Sequence, residues 1–192
     1  MNYLFGIFRF VKELFRFNII NPKAKFGKNV RLDHFIIIEH DVEIGDHSWI
    51  GSYTYIRPGT TIGHHSEVRL QSFIAGHGVK IGNYTKVCQQ ATIGQSIQIG
   101  NRCFLAPGIS TANTKHIQHQ RKIENYKVDL PVIEDNVRIG ANVTILPGVR
   151  IAKDSYIGGG SVVVKDTEPY GVYVGNPARK IKEVPKDHRV GE

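Results

Sequence analysis

The sequence predicts an all-β solenoid, a parallel β-helix, and three repeating features carry that prediction. Stepping forward in sixes from Phe26, a large apolar residue recurs without a break as far as Ile74. Glycine often follows the apolar residue, and a small or branched residue often stands four positions after it. Neither a helix of 3.6 residues per turn nor a simple alternating strand produces this period. A short strand followed by a turn does, with three such units in each coil.

Two interruptions break the repeat, and the repeat resumes in phase after each. One extra residue lies within residues 76–78, and a long insertion runs over residues 111–132. The apolar series then continues to Val163. Because stacked coils place each apolar residue above the last, we expect one β-helix over residues 19–168, followed by a tail over residues 169–192. Function is expected where the repeat is broken, since regular coils are scaffold.

Composition indicates one globular domain of 192 residues. Lys and Arg outnumber Asp and Glu by 25 to 17, and the net charge of +8 favours an anionic partner such as a phosphate-bearing cofactor, a nucleotide or a membrane surface. No basic helix or aromatic-rich RNA motif accompanies the charge, so no nucleic-acid partner is expected. Cys88 and Cys103 are too few and too far apart for a disulfide scaffold or a metal cage, and no metal site is expected.

Residues 1–18 predict a short amphipathic helix. Leu4, Phe8, Val11 and Phe15 lie on one helical face. The segment is too short and too charged to span a bilayer, and no signal-peptide cleavage site follows it, so we expect a cytoplasmic protein. Two roles stay open for the helix. It covers the open first coil of the solenoid or packs between subunits, or it makes peripheral contact with a membrane surface.

The late repeats carry the most specific pattern. Residues 139–149 and 157–163, then Lys165-Asp166 and Gly175-Asn176-Pro177-Ala178-Arg179, resemble the hexapeptide-repeat acyltransferases. The resemblance implies a left-handed parallel β-helix and a homotrimer with active sites between neighbouring subunits. It also implies transfer of an acetyl group from acetyl-CoA to a hydroxyl or amine of a sugar or nucleotide sugar, as in bacterial surface-polysaccharide biosynthesis.

The long insertion is the expected place of catalysis. Acyl transfer from a thioester needs a base for the proton of the attacking group, and histidine titrates near neutral pH. In the sugar O-acetyltransferases of this family, a histidine follows a Thr-Ala pair in the loop. This points to His116 ahead of His119, although the spacing differs by two residues. In the family's N-acetyltransferases for nucleotide-linked amino sugars, an asparagine stands at the offset that Asn113 fills. Both assignments stay open, as does the interpretation that the histidines are merely exposed loop residues.

The resemblance also implies where coenzyme A binds. Pantetheine is expected beside Gly140-Ala141 and Gly158-Gly159-Gly160-Ser161, where small residues let a cofactor approach backbone amides. Lys165 and Arg179 are expected near the phosphates. The alternative interpretation of the same residues is that the glycines only form turns and the two cations only face water.

A second class of function stays open beside the enzyme. A β-helix can serve as a non-catalytic assembly or binding subunit, although the glycine-rich late coils and the polar insertion favour acyl transfer. His77, in the one-residue insertion, is a further candidate for contact with the loop of a neighbouring subunit. The identity of the acceptor is not encoded by any spacing in the sequence.

Overall fold

Three parallel sheets wind around one apolar core, as the repeat predicts. The computed structural model describes residues 17–115 and 129–190. Within these residues every full coil adds one two-residue strand to each of three sheets, named A, B and C. Strands of successive coils pair in parallel and in register, so equivalent positions of the repeat stack along the axis.

The strands are distributed over the three sheets as follows. Sheet A contains Ile19–Ile20 (β1), Ile37–Ile38 (β4), Tyr55–Ile56 (β7), Phe73–Ile74 (β10), Thr92–Ile93 (β13), Ser110–Thr111 (β16), Thr144–Ile145 (β19) and Val162–Val163 (β22). Sheet B contains Lys25–Phe26 (β2), Glu43–Ile44 (β5), Thr61–Ile62 (β8), Lys80–Ile81 (β11), Gln98–Ile99 (β14), Val132–Ile133 (β17) and Arg150–Ile151 (β20). Sheet C contains Arg31–Leu32 (β3), Trp49–Ile50 (β6), Glu67–Val68 (β9), Lys86–Val87 (β12), Phe104–Leu105 (β15), Arg138–Ile139 (β18), Tyr156–Ile157 (β21), Gly171–Val174 (β23) and Arg179–Glu183 (β24).

The turns between strands stack into three edges along the solenoid. We call them the AB, BC and CA edges after the sheets they join in chain order. One coil takes 18 residues, as the pairing of Ile37 with Tyr55 shows. The step is 19 residues between β10 and β13, and 34 residues between β14 and β17. Both additions fall between a strand of sheet A and the next strand of sheet B, so both interruptions of the repeat emerge from the AB edge.

The second residue of each coil strand points inward, and these residues form the predicted ladder. From Ile38 to Val163 the members of the ladder are buried. In the structure the ladder begins at Ile20, one step before Phe26, the first residue of the repeat in the sequence. Burial of an aliphatic side chain of this size contributes about 1.5–3 kcal/mol, so the ladder is the main source of stability.

On the BC edge, a second, polar ladder accounts for the serine and threonine residues that stand four positions after an apolar one. On the BC edge Ser66, Thr85 and Cys103 are buried. Ser66 Oγ donates a hydrogen bond to the carbonyl oxygen of Gly82 at 2.8 Å, and Thr85 Oγ1 donates to that of Gly100 at 2.7 Å. The same hydroxyls accept from the next coil, since the amides of Thr85 and Cys103 donate to Ser66 and Thr85 at 3.1 Å each. Each hydroxyl therefore satisfies one carbonyl and one amide inside the solenoid.

Side-chain oxygens also join successive coils on the outer side of the BC edge. The amide of Lys28 donates to Asp46 Oδ1 at 2.7 Å, and the amide of Asn83 donates to Asn101 Oδ1 at 2.9 Å. The hydrogen bond from the Lys28 amide holds the pKa of the Asp46 carboxyl below its usual range. Asp and Asn are thus equivalent acceptors at this position of the repeat.

The C-terminal tail contains a hairpin that the repeat did not predict. Strand β23 extends sheet C in parallel with β21, and β24 pairs with β23 in the antiparallel sense. Tyr173 of β23 is buried in the core cluster, so the hairpin covers the last coil. A short 3-10 helix, Lys186–His188, follows it.

The predicted N-terminal helix falls almost wholly outside the described residues, which begin at Phe17. Phe17 and Asn18 are not helical. In the part of the chain that the structure describes, no helix has both the length and the apolar character needed to cross a membrane. Left-handed winding stays a prediction from the family resemblance.

Candidate functional site

The two ends of the long insertion are held together at the AB edge. Asn113 follows β16 and is half-buried, and Thr114 Oγ1 donates to Asn113 Oδ1 at 3.2 Å. Lys115 Nζ lies 3.4 Å from Asp129 Oδ2 across the base of the insertion. The carbonyl of Asp129 in turn accepts from the amide of Gly148, in the coil above, at 2.9 Å. The base of the loop is therefore fixed to the solenoid. His116 and His119, the two predicted bases, lie outside the described residues.

The one-residue insertion projects His77 from the same edge. Gly76, His77 and Gly78 all have positive φ, and the His77 side chain is exposed. A Cβ on Gly76 would lie 2.7 Å from the carbonyl oxygen of Pro58, so only glycine fits there. Strands β10, β13 and β16 are consecutive in sheet A, which puts His77 two coils, about 10 Å, below Asn113. Both departures from the repeat thus converge on one side of the molecule.

A polar cluster that the sequence did not reveal lies further down the AB edge. Tyr55, at an outward position of β7, donates its hydroxyl to Glu39 Oε1. Arg57 Nε lies 3.9 Å from the same carboxylate oxygen. The hydrogen bond to Glu39 raises the pKa of Tyr55. The sequence signal was only an outward tyrosine flanked by Glu39 and Arg57 in adjacent coils, and the repeat does not distinguish such a cluster from surface residues.

The predicted cofactor residues of the late coils come together on the CA edge. A Cβ on Gly140 would lie 2.5 Å from the amide nitrogen of Gly159, so adjacent coils touch backbone to backbone. The amide of Gly160 donates to the carbonyl of Ala141 at 2.8 Å. Ala141, Gly159 and Gly160 are exposed, and we call these three residues the glycine strip. The strip is therefore an exposed surface of backbone with almost no side chain on it.

The other predicted cofactor residues do not all lie on the exposed part of the CA edge. Gly158 is half-buried at the start of the same turn. Ser161 is buried, and its Oγ accepts from the amide of Gly175 at 3.0 Å, so its side chain secures the hairpin. Lys165 is exposed but follows β22 at the AB edge, whereas Arg179 is exposed at the start of β24 and donates to the carbonyl of Ala178 at 3.0 Å. The structure therefore does not bring Lys165 to the strip in a single chain.

Asn113 and the glycine strip lie on opposite sides of sheet A. Asn113 is on the AB edge, and the strip is on the CA edge. In the coil of β16, Gly108 occupies the CA edge, five residues before Asn113. Five fully extended residues span at most about 17 Å, which is therefore an upper limit for the distance between the two edges. A ligand on the strip of one chain is thus separated from Asn113 of that chain by the width of sheet A.

Sheet A differs from the other two sheets in the charge of its outward residues. Among the described coil strands, four of the seven outward residues on sheet B and four of the seven on sheet C are charged, namely Lys25, Glu43, Lys80, Arg150, Arg31, Glu67, Lys86 and Arg138. None of the eight on sheet A is charged. Its first four are large and apolar or aromatic: Ile19, Ile37, Tyr55 and Phe73.

Neither cysteine is suited to act as a nucleophile. Burial raises the pKa of Cys103 to about 11 and also raises the pKa of Cys88, so the reactive thiolate is scarce at neutral pH. Among the residues that the structure describes, no three His, Cys, Asp or Glu side chains are grouped so that they could hold a metal ion.

Comparison with known families identifies the repeat. The family model described as bacterial transferase hexapeptide (six repeats) matches residues 42–76 and 131–165. This chain is a hexapeptide-repeat protein. The matched stretches hold strands β5 to β10 and β17 to β22 and stand on either side of the long insertion, so the family pattern covers the coils that carry the glycine strip.

Curated relatives of this hexapeptide-repeat protein include a galactoside O-acetyltransferase from Escherichia coli. It is 29% identical over 174 residues, which are 89% of this chain and 75% of that protein. The bifunctional protein GlmU of Clostridium perfringens is 30% identical over 143 residues, 74% of this chain. The chain spans only 28% of the length of that relative.

The fold is also found among solved structures. The crystal structure of a UDP-N-acetylglucosamine acyltransferase superposes with a TM-score of 0.59 at 24% identity, covering 84% of this chain and 70% of that one. This similarity supports the solenoid architecture.

Proposed function

We propose that this hexapeptide-repeat protein is a coenzyme A-dependent acyltransferase that moves an acetyl group from acetyl-CoA to a hydroxyl or amine of a sugar or nucleotide sugar. The observation that carries the proposal is the glycine strip, where a narrow pantetheine chain can lie against exposed backbone at Ala141, Gly159 and Gly160. The names of its relatives, an O-acetyltransferase and an acyltransferase, describe the same kind of reaction. Synthesis of a bacterial surface polysaccharide is the role we propose for it.

The proposed active unit is a homotrimer in which sheet A faces the threefold axis. Interface cores are depleted in charged residues, and sheet A is the sheet without outward charges in the described strands. In a closed head-to-tail ring, the AB edge of one copy meets the CA edge of the next. In this arrangement Asn113 and its loop would lie beside the glycine strip of the neighbouring copy, whereas within one chain the two lie on opposite edges of sheet A.

In such a shared site the acceptor attacks the thioester carbonyl carbon. The carbon–sulfur bond breaks, coenzyme A leaves as the thiol, and the acceptor loses one proton. A loop histidine, His116 or His119, takes the proton of a hydroxyl acceptor and passes it to the departing sulfur. The amide group of Asn113 instead orients an amine that already has a free electron pair, and the surplus proton of that amine goes to the sulfur. Backbone amides stabilise the charge that develops on the carbonyl oxygen.

The experiment that tests this proposal fills the glycine strip without disturbing the fold. A Cβ on Gly160, where φ is +69°, would meet nothing within 4 Å. Asn142 occupies the equivalent turn position of the preceding coil with φ 56°, so Gly160→Asn is compatible with the backbone. We expect its affinity for acetyl-CoA in isothermal titration calorimetry to fall at least tenfold, with little change in Tm. Asn142→Gly is the matched control, because it removes the side chain at the equivalent turn position one coil below. This variant should bind acetyl-CoA at least as tightly as the wild type does.

Unchanged binding by Gly160→Asn would refute the strip as the coenzyme A surface. Absence of acetyl-CoA binding by the wild type would refute the enzyme and leave the non-catalytic β-helix subunit. The loop is tested separately, by turnover of acetyl-CoA with hydroxyl sugars and with amino sugars. Loss of turnover only in His116→Ala or His119→Ala identifies that histidine as the base. Loss only in Asn113→Ala indicates amine positioning, and full activity in all three contradicts the loop assignment.

A further inference from the structure

The positive charge of this protein is concentrated at one end. Residues 1–32 contain seven Lys or Arg and one Glu, a net charge of +6 out of +8 for the whole chain. Residues 17–32 form the first coil and hold four of these cations and no carboxylate: Lys23, Lys25, Lys28 and Arg31. A charge asymmetry of this size indicates an anionic partner at the first coil.

The same end exposes apolar side chains. Phe17 is 67% exposed, and the ladder residues Ile20 and Phe26 are 38% and 39% exposed. Equivalent ladder residues in the coils above are buried, because another coil lies beneath them. The underside of the first coil is therefore an apolar surface bordered by four exposed cations on the AB edge, sheet B, the BC edge and sheet C, and we call it the basal surface.

Acidic residues mark the upper limit of this surface. Residues 33–46 contain five Asp or Glu and no Lys or Arg. The Lys25 ammonium lies 2.8 Å from the Glu43 carboxylate, and the Arg31 guanidinium lies 3.0 Å from that of Asp33. The side chains of Lys23 and Lys28 are exposed. Exposed ion pairs such as these two contribute little to stability. The acidic coil would be repelled by an anionic plane, so the charge pattern favours one orientation, with the basal surface toward the plane.

We infer that the basal surface binds an anionic phospholipid bilayer, with the solenoid axis upright on it. Apolar side chains with flanking cations match the boundary between acyl chains and anionic headgroups. Residues 1–16 carry a net charge of +2, and the first coil carries +4. Closure of the end by that segment, or by a second copy of the same end, would bring like charges together, whereas lipid headgroups neutralise both. This inference does not depend on the proposed acetyl transfer.

The test is co-sedimentation of the full chain with vesicles of phosphatidylcholine alone and of phosphatidylcholine with phosphatidylglycerol. We expect binding to the anionic vesicles only, weakening as salt is raised from low to physiological concentration. The double variant Lys23→Glu/Lys28→Glu should bind at least tenfold more weakly. Lys80→Glu/Lys186→Glu changes the net charge equally, at exposed positions away from the basal surface, and should bind like the wild type. Circular dichroism and the Tm of thermal unfolding check that both variants are folded.

Three outcomes would overturn the inference. Equal loss of binding in the two double variants would show that net charge, and not the basal surface, drives sedimentation. Equal binding to neutral and anionic vesicles would remove the role of the cations. A wild-type protein that stays in the supernatant with every vesicle would favour closure of the end by residues 1–16. Phe17→Ser separates the apolar contribution and should weaken binding while keeping its salt dependence.

Discussion

Replacement of Thr85 by valine is expected to destabilise the solenoid strongly although it preserves the shape of the side chain. Thr85 is fully buried, and its hydroxyl donates to the carbonyl of Gly100 at 2.7 Å and accepts from the amide of Cys103 at 3.1 Å. Valine leaves both backbone groups without these partners, at about 1–3 kcal/mol each. Burial of the extra methyl group offsets about 0.8 kcal/mol. The net loss of unfolding free energy is then about 1–5 kcal/mol.

Thr85→Ser is the matched control, because it keeps the hydroxyl and removes only a methyl group. Ser66 occupies the same ladder position one coil below, so serine suits the site, and the expected loss is about 1 kcal/mol. Both variants are compared with the wild type by urea unfolding at one protein concentration, because oligomerisation makes apparent stability concentration-dependent. If Thr85→Val proves as stable as Thr85→Ser, the hydroxyl ladder does not stabilise the coils and the reasoning fails.

Three further predictions concern the interface, a thiol and a carboxylate. Phe73→Glu on sheet A should convert the assembly to monomers in light scattering, whereas Phe104→Glu, at an outward position of sheet C, should leave it intact; equal effects would contradict the proposed interface. Cys103, with its pKa raised to about 11, should be about one part in a thousand thiolate at pH 8 and resist Ellman's reagent until the protein unfolds, so rapid reaction of the native thiol would disprove its burial. Because the pKa of Asp46 is lowered in the folded state, its stabilising effect is complete above the unfolded value near 4 and is lost as pH falls through the folded value. Asp46→Asn keeps the acceptor for Lys28, so the wild type should lose stability relative to this variant between neutral pH and pH 3, and parallel pH profiles would argue against the shift.

The six-residue period was sufficient to predict the inward ladder, because one residue type at one position must fill the same interior volume in every coil. It did not predict the hairpin of β23 and β24, since the tail has left the repeat and its pairing depends on tertiary contact. Residues 76–78 and the long insertion both emerge from the AB edge. Counting residues per coil gives this result, but only once each of the three strands in a coil has been assigned to its sheet.

The sequence predicted some features of the candidate site and not others. Glycines at 140 and 158–160 signalled a close backbone approach, and the structure stacks them in adjacent coils. The distance from this strip to Asn113 was not predictable, because a repeat gives position along the axis and not the width of a face. The charge-free character of sheet A was visible in the sequence only once outward residues had been sorted by sheet.

The regular spacing of the coils also sets the height of each site along the solenoid axis. Five steps along sheet A lead from β1, in the first coil, to β16, where the long insertion begins. At about 4.8 Å per step, the insertion stands about 24 Å above the base of the molecule. A protein resting upright on a bilayer would present its reactive edge at that height, so acceptors would be sorted by how far they project from the lipid surface as well as by the chemistry of their hydroxyl or amine.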